Sequence, residues 1–202
     1  MGKIMLLNGS PRAPRSNSKR YAELFASLCP MDSDYFALGS DNHSLLIENL
    51  SQYSDIVLVF PLYVDGLPTS LLQFLKTLEE HSPQNKPVIS VLINCGFLEY
   101  EQNDVAVRMV QLFCRQNGYE FGSVLRIGSG EAILDTPFKR FVTNSMRKFA
   151  RSIADWQYDE FQTKMPLPKL LFVKASGQYW DRYGQKNGLS RQDMQSMRVE
   201  DN

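Results

Sequence analysis

An apolar run, Ile4-Met5-Leu6-Leu7, breaks at once into Asn8-Gly9-Ser10-Pro11 and reaches a helix start near Asn17-Ser18; no other segment constrains this chain as much. The run is short enough to be one buried strand, so the N-terminus reads as a strand feeding a loop and then a helix. The start of a helix carries unpaired backbone N–H groups and a partial positive charge, which stabilise an anion placed there. Ser10, Ser16 and Ser18 add hydroxyls, and Arg12 and Arg15 add full charges. The first twenty residues hold Lys3, Arg12, Arg15, Lys19 and Arg20 and no Asp or Glu, so a phosphate is the expected occupant. The same residues would also serve an ordinary surface helix, for which Asn17-Ser18 is a plain N-cap.

Two well-known phosphate loops are excluded on residue grounds. A Walker loop needs Lys-Ser or Lys-Thr after a second glycine, and a dinucleotide fingerprint needs three spaced glycines. Gly9 is the only glycine between Ile4 and Leu38, so the backbone is not built to wrap a pyrophosphate. Side-chain hydroxyls are then expected to do what glycine-rich backbone does elsewhere, and a monophosphate is favoured over a diphosphate.

Strand and helix patterns alternate after this point. Helical spacing covers Ser18 to Leu28, and Ser33 to Leu38 reads as a second strand followed by polar Gly39-Ser40-Asp41-Asn42. Leu45 to Leu50 is helical, and Ile56-Val57-Leu58-Val59-Phe60 is a continuous apolar run of the kind a buried parallel strand shows. Leu67 to Leu78 is helical with Pro68 in its first turn, Pro87 to Asn94 is a strand, and Val105 to Arg115 is an amphipathic helix ended by Gly118. Ser123 to Ile127 gives a fifth strand and Phe138 to Trp156 a long last helix. This alternation predicts an α/β fold, a doubly wound parallel sheet with helices on both faces. In such a sheet ligands bind beyond the carboxyl ends of the strands, where strand order reverses. That rule selects three loops: Asn8 to Ser18, Pro61 to Pro68, and Asn94 to Asn103.

Composition narrows the chemistry. Lys plus Arg and Asp plus Glu balance at 22 each in 202 residues, which gives no charge excess for bulk nucleic-acid binding. Cys29, Cys95 and Cys114 are odd in number, widely spaced and without a CxxC pair, so neither a disulfide framework nor a zinc site is indicated, and no metal is expected. No signal-like segment or membrane-length apolar run is seen, and a reducing, cytoplasmic setting is expected.

Three motifs in order, NGSPR with SNS, FPLYVDGLPTSLLQFLK, and NCGFLEYEQND with the later IGSGEAI, resemble the flavodoxin-like NAD(P)H-dependent FMN reductase and oxidoreductase family over roughly residues 3–154. The resemblance implies a five-stranded parallel sheet in order 2-1-3-4-5 and a homodimer. It implies that Ser10, Arg12, Ser16, Asn17 and Ser18 hold the FMN phosphate. Pro61, Leu62, Tyr63 and Val64 would flank the flavin ring, and Asn94, Cys95, Gly96 and Phe97 would cover its other edge. The implied activity is hydride transfer from NAD(P)H, as co-substrate, through bound FMN to a small-molecule electron acceptor such as a quinone, a nitro compound or free flavin. A flavodoxin-type electron carrier and a non-catalytic binding protein of the same fold are the alternatives.

Because flavin carries the redox step itself, no protein acid–base residue is required, and none is assigned as catalytic. His43 and His81 read as surface residues. Tyr63 could stack on a ring or pack against Leu67, and Cys95 could touch the ring or act as a small apolar filler. Gly128-Ser129-Gly130-Glu131 reads as a tight exit from the fifth strand. Residues 1–160 are expected to form the FMN-binding domain. Residues 161–202 form an aromatic and basic extension that could cover the site, meet a second subunit or lie at a membrane surface; packing on its own domain or a partner subunit is the favoured reading.

Overall fold

The computed structural model describes residues 2–39 and 41–196. Ser40 of the predicted polar turn, Met1, and residues 197–202 of the predicted extension lie outside the described residues. The chain divides into two compact units, one running to Met165 and the other from Pro166 onward.

The first unit contains β1 (Ile4–Asn8), α1 (Asn17–Leu28), β2 (Ser33–Ala37), α2 (His43–Glu48), β3 (Asp55–Pro61), α3 (Thr69–Glu80), β4 (Val88–Asn94), α4 (Asp104–Asn117), β5 (Phe121–Ile127), α5 (Lys139–Ala154) and β6 (Glu160–Thr163). All strands run parallel in the order β2-β1-β3-β4-β5-β6. The sheet is therefore six-stranded, and the expectation of five strands is corrected by β6. That strand pairs Val124 with Glu160 through Ile127 with Thr163. It escapes a sequence reading because Glu160 and Gln162 are exposed at the sheet edge, which leaves only a four-residue, largely polar string.

Period-two alternation of the strands builds both halves of the core. Met5, Leu7, Ile56, Leu58, Phe60, Val91 and Ile93 share one cluster with Leu46 and Ile47 of α2, Leu71 and Phe74 of α3, and Val107 and Val110 of α4. Ile4, Leu6, Val57, Val59 and Leu125 are equally buried outside that cluster, and α1 and α5 pack together with Phe25 edge-on to Phe149 at 5.6 Å. Both faces are covered, which is why β3 reads as a nearly unbroken apolar run. The strand ends are in register: Asn8 lies opposite Val59, Pro61 opposite Asn94, and Asn94 opposite Ile127. The three predicted loops consequently leave the sheet along one edge, with the strand order reversing between β1 and β3.

One surface assignment is corrected. His43 is buried, and its ring meets Phe74 edge-on at 5.8 Å. It starts a two-turn helix that lies on the sheet, so its first turn faces inward; His81 is exposed as expected.

The second unit consists of α6 (Lys169–Lys186) and α7 (Arg191–Ser196), so α5 is not the last helix. Gly184 is buried against Met194 where the two come together.

Candidate functional site

Asn8 organises the first loop. Its side chain is fully buried; Oδ1 accepts the Ser10 N–H at 2.9 Å, and Nδ2 donates to Tyr35 Oη at 2.8 Å and Ser16 Oγ at 3.2 Å. The chain then makes a short 3-10 turn at Ala13–Arg15 before Ser16 caps α1 by accepting the Lys19 N–H at 3.2 Å. The Ser16 hydroxyl also donates to the Ala13 carbonyl at 3.3 Å. No partner for the N–H groups of Ala13, Ser16, Asn17 and Ser18 is found among the described residues. Arg12 and Arg15 are exposed beside them and form no ion pair among the described residues. Four N–H donors without partners among the described residues and two exposed cations in one short loop suit one strongly charged anion.

The donor groups of the Ser16, Ser18 and Asn17 side chains are engaged within the fold. Ser18 Oγ donates to Asn94 Oδ1 at 3.3 Å, which ties the first loop to the third. Asn17 Nδ2 donates to the Glu131 carbonyl at 3.1 Å and to Glu131 Oε2 at 3.3 Å, while its Oδ1 accepts from Arg20. Arg20 in turn grips Asp135 and holds that carboxyl below its ordinary range. Ser10 Oγ accepts the Arg12 N–H at 3.3 Å. The donors left for an anion are thus the backbone N–H groups, the guanidinium groups and the Ser10 hydroxyl, which accepts from Arg12 and keeps its own proton to donate.

The second loop is a tight hairpin. Tyr63 and Gly66 exchange backbone hydrogen bonds at 3.3 and 2.9 Å around Val64 and Asp65, whose φ values of 45° and 54° put both in the left-handed region. A β-branched residue is strained there by about 1–3 kcal/mol, and Val64 is also 99% exposed. Tyr63 is half-exposed, and the Leu62 N–H is spent on the Asn94 carbonyl at 2.8 Å. In the third loop Cys95 donates its N–H to Ile127, whereas Gly96 and Phe97 are exposed and their N–H groups have no partner among the described residues. A Cβ on Gly96 would meet nothing within 4 Å. Cys95 itself is buried with its Sγ 3.6 Å from the Glu99 carbonyl and from Asn103 Nδ2, and burial pushes the thiol up to about 11. It stays a protonated filler at neutral pH.

The loop after β5 braces this edge. Gly130 N–H donates to the Cys95 carbonyl at 2.7 Å, and the fully buried Tyr21 of α1 donates to the Gly130 carbonyl at 2.8 Å. A side chain on Gly128 would collide with the Leu98 carbonyl oxygen, and one on Gly130 would sit 2.8 Å from Asn94 Cβ. Arg126 reaches Asp104 at 2.9 Å and Glu160 at 2.8 Å, joining β5 to the start of α4 and to β6. Asn8, Tyr21, Gly130 and Glu131 are the contributors the sequence did not single out; Glu131 and Gly130 lie in the predicted tight exit, but their partners are more than a hundred residues away in the chain.

No protein-family profile matches the chain, and no curated protein matches it. Solved structures do match its fold. Rubredoxin oxygen:oxidoreductase from Desulfovibrio gigas aligns with 77% of this chain at 12% identity and a TM-score of 0.57, and this chain spans 37% of that longer protein. A flavodoxin from Streptococcus pneumonia TIGR4 covers 76% of this chain, which spans 99% of it, at 15% identity and a TM-score of 0.57. An FMN-dependent NADH-azoreductase from Bacillus anthracis, solved with FMN, covers 79% of this chain and is itself covered in full, at 15% identity and a TM-score of 0.55. At these identities the likeness is one of fold: the first unit is a flavodoxin-like α/β domain.

Proposed function

We propose that this protein is an FMN-dependent NAD(P)H oxidoreductase that reduces a small electrophile such as a quinone, a nitro compound or free flavin. The observation that carries the reading is the first loop, where the N–H groups of Ala13, Ser16, Asn17 and Ser18 and the guanidinium groups of Arg12 and Arg15 lack partners among the described residues. That donor set fits a terminal monophosphate, with Ser10, Ser16 and Ser18 framing it. Pro61, Leu62, Tyr63 and Val64 would line one side of the ring, and Asn94, Cys95, Gly96 and Phe97 the other; the open space at Gly96 and the exposed Phe97 are compatible with a flat ligand. FMN supplies the redox chemistry when bound, and the chain's own groups bind and orient it. The N–H groups of Val64, Asp65, Gly96 and Phe97 are the ones left to bond polar ring atoms. Nicotinamide and acceptor would share the open side near Tyr63.

Absorbance of the purified protein tests the reading. Flavin bands that bleach on adding NAD(P)H are expected. Bands that do not bleach would favour a one-electron carrier, and failure to bind flavin would refute the reading. Arg12→Ala should weaken FMN far more than riboflavin. A homodimer is part of the proposal: Val105, Met109 and Leu112 form an exposed stripe at helical spacing on α4, and sedimentation velocity measures the association.

A further inference from the structure

We propose that α6 is an interfacial anchor that binds anionic phospholipid membranes with its axis in the membrane plane. The large apolar side chains of the helix, Leu171 apart, gather on one side. Leu170, Val173, Trp180 and Tyr183 recur at spacings of three and seven and share one face, which Phe172 and Tyr179 extend. Leu170, Val173, Trp180 and Tyr183 are solvent-facing, Leu170 at 81% exposed and Trp180 at 48%, while Phe172 and Tyr179 are half-buried. Tyr179, Trp180 and Tyr183 contact one another, with centroids 5.2 to 6.4 Å apart, and so form one aromatic cluster on that face. Rings with an apolar body and one polar atom are suited to the headgroup boundary of a bilayer.

The opposite face carries the cations around one exposed apolar side chain, Leu171. Lys174, Arg182 and Lys186 lie there, with Lys169 at the helix start, and the one carboxylate in the helix, Asp181, is paired with Arg191 at 3.7 Å. The helix therefore carries a net +3 within a chain whose total formal charge is +0, which concentrates positive charge beside the exposed aromatic face. The combination of that face with flanking lysines and arginine complements a negatively charged lipid surface. At 18 residues the helix is about 27 Å long, and no helix among the described residues is long and apolar enough to cross a membrane, so it would lie along the surface. Gly177, whose Cβ position meets nothing within 4 Å, keeps the apolar side shallow.

The test uses the full chain without added flavin, so its result is independent of the reading of the FMN site. Flotation is measured with vesicles of phosphatidylcholine alone and of equimolar phosphatidylcholine and phosphatidylglycerol. Binding to the anionic vesicles only, weakened by salt, is expected, with a blue shift of tryptophan emission that Trp180→Phe removes while Trp156 remains. Lys174→Gln, Arg182→Gln and Lys186→Gln together should weaken binding about a hundredfold, or roughly fivefold per cation. Leu170→Ala with Trp180→Ala should abolish it without changing the melting temperature. The proposal is overturned if the full chain remains unbound at saturating anionic lipid, if neutral vesicles bind it equally well, or if both variants bind as the parent does. It is likewise overturned if the Trp180 shift appears on raising protein concentration without lipid, which would put a second copy of the chain on this face.

Discussion

Replacing Asn8 by alanine should disable the first loop as a phosphate cradle and lower global stability together. The Asn8 side chain is fully buried and makes three well-formed hydrogen bonds, from the Ser10 N–H at 2.9 Å and to Tyr35 at 2.8 Å and Ser16 at 3.2 Å. At about 1 kcal/mol net for each bond, their loss amounts to about 3 kcal/mol, and the buried Ser10 N–H left behind adds to it. For a domain of this size that corresponds to a fall of about 6–12 °C in melting temperature. The 3-10 turn and the Ser16 cap lose their common reference point, so the loop's N–H donors are no longer held in fixed positions. On the proposed reading FMN affinity should drop more than riboflavin affinity, because only FMN would bring a phosphate to this loop. Asn8→Asp sharpens the test: it retains an acceptor for Ser10 but sets a negative charge against the Ala13 carbonyl and the anion position, so FMN binding should suffer more than in Asn8→Ala. Thermal melts by circular dichroism and fluorescence titrations with both flavins are the assays. A melting temperature lowered by less than about 2 °C, or equal proportional losses for FMN and riboflavin, would refute the role assigned to Asn8.

Other expectations concern the rest of the frame. Gly128→Ala should destabilise the protein by about 1–3 kcal/mol, since its methyl group would meet the Leu98 carbonyl and not a side chain that can move aside; chemical denaturation measures it. Val64→Gly should raise stability by about 1 kcal/mol by relieving the left-handed strain at an exposed position, and a lowered melting temperature would contradict the backbone account. Burial lowers the His43 pKa, although a hydrogen bond with the Gly39 backbone and the nearby Asp41 pull the other way. The folded state then binds less proton than the unfolded one, so this contribution to stability is complete above the ordinary histidine value and is lost as pH falls through and below it. The drop in melting temperature between about pH 7.5 and 5.5 should be smaller in His43→Phe than in the parent protein.

The sheet and the loops at the carboxyl ends of its strands were legible in the residues because their causes are local. Ile4 to Leu7 and Ile56 to Phe60 are apolar without alternation since both faces of β1 and β3 are covered, and that alone implies helices on either side of a parallel sheet. The concentration of Arg12, Arg15 and a helix start after a strand is likewise visible without any tertiary information, and it is what suggests the proposed anion site. What the sequence could not state is which donors remain free. Asn17, Ser16 and Ser18 are the right residue types for phosphate, yet folding commits their side chains to Glu131, to the α1 cap and to Asn94, while the backbone N–H groups and the Ser10 hydroxyl keep protons to donate. His43 was misassigned because a polar neighbourhood in sequence became a position over Phe74 in space. The edge strand β6 was missed because half of its side chains face solvent and its pairing partner β5 lies more than thirty residues earlier. Patterning within a window of a dozen residues follows from backbone periodicity and burial, and so belongs to the sequence. The competition among hydrogen-bond partners brought together from distant segments is resolved only when the chain folds, and that competition decided the chemistry of this loop edge.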